Sequence, residues 1–102
     1  MKNKNYLASY NPGTLDAVRV WIKSNLDKAD YIYTARENAT NYLTGVINDT
    51  VGCDLSTRAV HSLLKEAGFT YTGEPSSDHG QYNIALHSLH KLFPRAGFDT
   101  VD

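Results

Sequence analysis

Three histidines, His79, His87 and His90, with Asp78 beside the first, are the residues of this 102-residue chain that most invite a metal ion. His87 and His90 stand three apart and would share one face of a helical turn. A stable transition-metal site needs three or four ligands with groups behind them to orient the rings, and this spacing matches no finger pattern. No metal site is therefore expected; three histidines near a surface tail are the simpler account. Cys53 and His61 offer a thiol and a base, but a helix start separates them and no third group is placed to orient the imidazole. Asp27 and Asp30 stand at a helix end, as ordinary solvent-facing carboxylates do. Gly45 and Gly52 are isolated, so no glycine loop cradles a phosphate. An enzyme is disfavoured on these grounds, and no cofactor is expected.

A different constellation has the right spacing for binding. Ser56, Thr57, Arg58, His61, Ser62 and Lys65 fall within one amphipathic stretch, and Arg58, His61 and Lys65 recur at steps of three and four. Arg58 can present a bidentate fork to a guanine or a phosphate, and Thr57 and Ser62 are short enough to let a backbone come close. Such a face is polar, small and mildly basic, as a helix lying in a groove requires. The plain alternative is the solvated outer side that any amphipathic helix needs, with Asp54 and Glu66 offsetting the cations.

Bulk composition sets limits on both readings. The chain is 41% hydrophobic and 21% charged, which suits one globular domain with one core. A formal net charge of -1 supplies no global field toward nucleic acid or an anionic membrane, so any such affinity must be local. Lys2, Lys4, His87, His90, Lys91 and Arg95 are a basic supplement if the termini flank the helix, and solvated tails otherwise. A single cysteine makes no internal disulfide. The opening residues carry no apolar run, and no stretch approaches the ~20 apolar residues of a membrane span. A soluble cytoplasmic protein with no membrane partner is expected, with the sequons at Asn38 and Asn48 unused.

The elements that must position these residues read as follows. Residues 1–13 are a polar lead-in ending in the turn signal Asn11-Pro12-Gly13. Thr14 caps a first helix whose apolar stripe is Leu15, Val18, Ile22 and Leu26, flanked by Trp21. Tyr31, Ile32 and Tyr33 favour a short strand over 29–33. Thr34 and Glu37 have capping-box spacing for a second helix from Ala35 to Ile47, with Ala39, Tyr42, Leu43, Val46 and Ile47 inward and Gly45 marking a close approach. Residues 48–52 are turn chemistry. Ser56 caps a third helix running to Ala67, Leu55 staples it toward Val60, and Gly68 ends it. Strands over 69–72 and 81–86 enclose a loop at 73–80, and a helical turn through Leu89, Leu92 and Phe93 precedes Pro94.

The run from Leu55-Ser56-Thr57-Arg58-Ala59-Val60 through Leu63-Leu64-Lys65-Glu66-Ala67-Gly68-Phe69 resembles the third helix of the winged helix-turn-helix superfamily and its exit into a sheet. It is similar to the winged-helix tails of phage and plasmid primase-helicases and to many small repressors. The resemblance covers residues 14–86, about three quarters of the chain, and rests on pattern. It implies a mainly α fold with a small antiparallel β-sheet, in the order helix-strand-helix-helix-strand-wing-strand, with residues 87–102 as a tail. The connection from Ile47 to Ser56 is longer than a compact helix-turn-helix uses, enough to hide an extra turn of the second helix.

By that resemblance the third helix enters the major groove of double-stranded DNA through Ser56, Thr57, Arg58, His61, Ser62 and Lys65, with His79 contributing from the wing. The implied function is a small transcriptional or replication regulator of phage or mobile-element origin, working as a homodimer on paired half-sites. The wing, Glu74 to Gly80, carries Glu74 and Asp78 where DNA-binding relatives carry cations. The alternative is therefore a winged-helix interaction module that docks on a protein, with Tyr6, Tyr10, Tyr31 and Tyr33 as interface candidates.

Overall fold

Asn11 starts the first helix, α1 (Pro12–Asn25), by accepting from the Gly13 amide at 2.7 Å, and Pro12 occupies a first-turn position where its missing N–H costs nothing. Thr14, expected as the cap, lies inside this helix. The computed structural model describes residues 7–73 and 80–96. The stripe of α1 is buried as its period requires, from Leu15 through Val18 and Ile22 to Leu26 just beyond the helix, and Trp21 packs against the core from the side.

The strand expected over 29–33 does not form; one isolated antiparallel bridge stands just before it, Lys28 opposite Ile84. Ala29 donates to the Asn83 carbonyl at 2.9 Å, and the Asn83 side chain donates back to the Ala29 carbonyl at 3.0 Å. Pairing goes no further because the Tyr82 carbonyl accepts from the side chain of Asn38 rather than from a neighbouring strand. Asn38 is fully buried and donates to Tyr33 and Tyr82 carbonyls at 2.7 Å each.

Those two bonds also displace the start of the second helix. In place of a capping box at Thr34 and Glu37, the chain makes a 3-10 turn (Arg36–Asn38), and α2 (Thr40–Ile47) begins after an extended Ala39 with no side-chain cap. Its buried face is Thr40, Leu43, Thr44 and Ile47, while Tyr42 and Val46 are only partly covered. Gly45 is exposed with open space where a side chain would stand, so no neighbour approaches it. Residues 48–52 continue the helix as one π-helical turn (Asn48–Gly52), which ends where Gly52 takes φ +81°. The Asn48 amide pins the link to the next helix by accepting from Leu55 N at 2.8 Å and donating to Leu55 O at 3.0 Å.

α3 (Thr57–Glu66) follows its sequence signals closely. Ser56 Oγ accepts from Ala59 N at 3.1 Å, Leu55 joins Val60 in the core, and Ala59, Leu63 and Leu64 are buried. Ala67, expected inside, is exposed at the helix end. Gly68 adopts φ +96°, and Phe69 N bonds Leu64 O to close the helix. Strands β1 (Tyr71–Thr72) and β2 (Gln81–Tyr82) pair antiparallel with Tyr71 opposite Tyr82. They are shorter than the periodicity suggests, since Leu86 begins a last helix, α4 (Leu86–Leu92), instead of ending a strand. Leu89 completes the single core, with Leu92 and Phe93 against it. The fold is thus mainly helical with a small two-stranded antiparallel sheet. Among the described residues no helix is long and apolar enough to cross a membrane.

Candidate nucleic-acid interface

The outward side of α3 gathers most of the residues that the spacing selected. Ser56, Arg58 and Lys65 are exposed, and Thr57 and Ser62 are half-buried. The Ser56 hydroxyl is already engaged in the cap, and the Ser56 amide donates to the Tyr10 hydroxyl at 3.0 Å, which ties the segment before α1 to the start of α3. His79 and residues 74–78 lie outside the described residues, as do Lys2, Lys4 and Tyr6.

His61 does not belong to that outer face. It is 8% exposed, turned inward at the edge of the buried stripe, with Nδ1 2.9 Å from the Tyr82 hydroxyl. The correction has a long-range cause: Tyr82, fully buried from β2, supplies the polar partner that lets an imidazole sit inside. The same hydroxyl lies 2.6 Å from Thr40 Oγ1, and Thr44 Oγ1 donates to Thr40 O at 2.7 Å. Tyr71 packs its ring edge-to-face on His61 at 4.4 Å between centroids. Burial pushes the His61 pKa down from 6.5, with the charges of Lys65 and Arg58 pushing the same way. Burial also pushes the Tyr82 hydroxyl up to about 12, so it keeps its proton throughout the neutral range.

Two features of this face leave no mark on sequence periodicity. The first is Arg19 on α1, whose Nε and Nη2 reach the Glu66 carboxylate at 2.6 and 3.2 Å while Nη1 holds Asp16 at 2.9 Å. These two carboxylates raise the Arg19 pKa further, Glu66 most. Glu66 is the acidic residue within α3, and its pairing to α1 leaves Lys65 with no ion pair among the described residues. The second is Tyr71, which stands 38% exposed on β1 beside His61 and brings an aromatic edge to the helix's flank.

The other chemistry weighed from the sequence is otherwise engaged. Cys53 Sγ donates to Asn48 Oδ1 at 3.3 Å, and burial raises its pKa, which disfavours the thiolate a nucleophile needs. His87 Nε2 pairs with Asp27 Oδ2 at 2.6 Å, tying α4 to the end of α1. Among the described residues no three histidine, cysteine or acidic side chains gather for a metal ion. Tyr31, 51% exposed, accepts from Leu86 N at 3.2 Å, and Tyr10 and Tyr33 pack partly against the core. No family model, no curated protein and no solved structure matches this chain.

Proposed function

We propose that this protein binds double-stranded nucleic acid through the outward side of α3, as a small winged-helix regulator. The observation that carries the reading is the seating of α3: its apolar side is committed to the core while Ser56, Thr57, Arg58, Ser62 and Lys65 look outward beside Tyr71. The element order supports it too, since α1, α2, α3, β1 and β2 follow one another as three helices and two strands, with the isolated Lys28–Ile84 bridge between α1 and α2. Arg19 takes up the charge of Glu66, one of the two acids, Asp54 and Glu66, that oppose Arg58 and Lys65 on this face. Arg58 reads a base edge or grips a phosphate, and Lys65 contacts backbone phosphate. Selection from random-sequence duplexes at low salt tests this directly: enrichment of a preferred sequence supports it, and recovery of none sinks it.

A protein partner is the second reading. It is favoured by Val20, 64% exposed on α1, by the half-exposed Tyr31, and by the acidic residues Glu74 and Asp78 between the two strands in sequence, which repel phosphate. A pull-down that recovers only nucleic acid, and loses it on nuclease treatment, counts against this reading.

A further inference from the structure

A groove of about 490 Å³ opens between α1 and the C-terminal end of α3, at the far end of that helix from Ser56 and Arg58. Its size is that of a small-molecule site. Ile22, Leu26, Leu63 and Phe69 make an apolar floor, and Lys23 and Lys28 stand on its rim.

The rim charges are not balanced. Three cations, Arg19, Lys23 and Lys28, line the groove against two carboxylates: Glu66, which Arg19 holds, and Asp27, whose Oδ2 lies 2.6 Å from His87 Nε2. Lys23 and Lys28 have no ion pair among the described residues. Lys28 is also held in place: its ammonium sits 5.0 Å from the centroid of the Phe69 ring, and its Cε passes where a side chain at residue 68 would meet it at 3.1 Å. Gly68, at φ +96°, leaves that path open. A positioned cation over an apolar floor is complementary to a molecule with a flat apolar body and one negative group.

We propose that this groove binds a small aromatic carboxylate, with the ring on Leu26, Leu63 and Phe69 and the carboxylate between Lys23 and Lys28. The groove shares Glu66 and its partner Arg19 with the α3 face, but the proposed ligand is held by Lys23 and Lys28, which the nucleic-acid reading does not use.

The full chain, labelled at its isoleucine and leucine methyl groups, is titrated with 2-naphthoate and, separately, with the neutral 2-naphthamide. Saturable shifts at Ile22, Leu26 and Leu63 are expected with the carboxylate, with the amide weaker by about tenfold. Lys28→Gln and Lys23→Gln each weaken the carboxylate by about threefold or more and leave the amide unchanged. Both lysines are exposed, and the same spectra report whether each variant keeps the fold. The proposal is overturned if the carboxylate causes no saturable shift in these methyl groups, if acid and amide bind alike, or if the lysine variants bind the acid as the parent does.

Discussion

The Tyr82 hydroxyl and His61 Nδ1 lie 2.9 Å apart, joining the second strand of the sheet to the inner edge of α3. Since Thr40 shares the same hydroxyl, one phenol links α2, α3 and β2. Removing it strands two buried polar groups at once. Tyr82→Phe is expected to cost about 1–3 kcal/mol in urea unfolding, more than the loss of an ordinary exposed hydrogen bond. A change within a few tenths of a kcal/mol would show that the linkage contributes nothing.

The same pair sets a pH dependence. The folded-state pKa of His61 lies below the ordinary 6.5, so the unfolded chain takes up this proton first as pH falls. The contribution is therefore full above pH 6.5 and is lost as pH drops below that value toward the lower folded pKa. His61→Asn keeps a polar atom near the Nδ1 position and has nothing to titrate there. Its stability should fall less than the parent's as pH drops below 6.5, measured by thermal melts in steps downward from that value. Parallel curves would refute the assignment.

Arg19 acts on the α3 face without belonging to it. Arg19→Gln releases the Glu66 carboxylate beside Lys65, and duplex affinity at low salt should drop by about threefold. Glu66→Gln in the same chain should restore it, because the repulsive charge is then gone. A loss that persists in the double variant would place Arg19 itself in contact with the nucleic acid.

Legibility in the sequence followed the range of the interactions. The α1 stripe, the Ser56 cap and the Gly68 stop are set within a turn or two of helix, and each is found where the local pattern puts it. The last helical turn before Pro94 was equally readable. The start of α2 was not, because Asn38 spends its amide on the carbonyl of Tyr82, 44 residues away, and this outweighs a capping box at Thr34. The strand over 29–33 was lost to the same competitor. His61 is hidden from the local pattern for a related reason: a polar residue one step from Val60 reads as outward until a buried hydroxyl elsewhere in the chain gives it a partner. The Arg19 contact to Glu66 spans 47 residues and carries no periodic signal at all.

The most direct measurement is the salt dependence of binding to a selected duplex for the parent, Arg58→Ala and Lys65→Ala, followed by fluorescence anisotropy. If α3 reads nucleic acid, affinity falls as salt rises, and Lys65→Ala weakens all sequences alike and lowers the salt slope by about 1. Arg58→Ala should cost about 1–3 kcal/mol on the preferred sequence and relax that preference. Binding by both variants that matches the parent at every salt concentration would contradict the account.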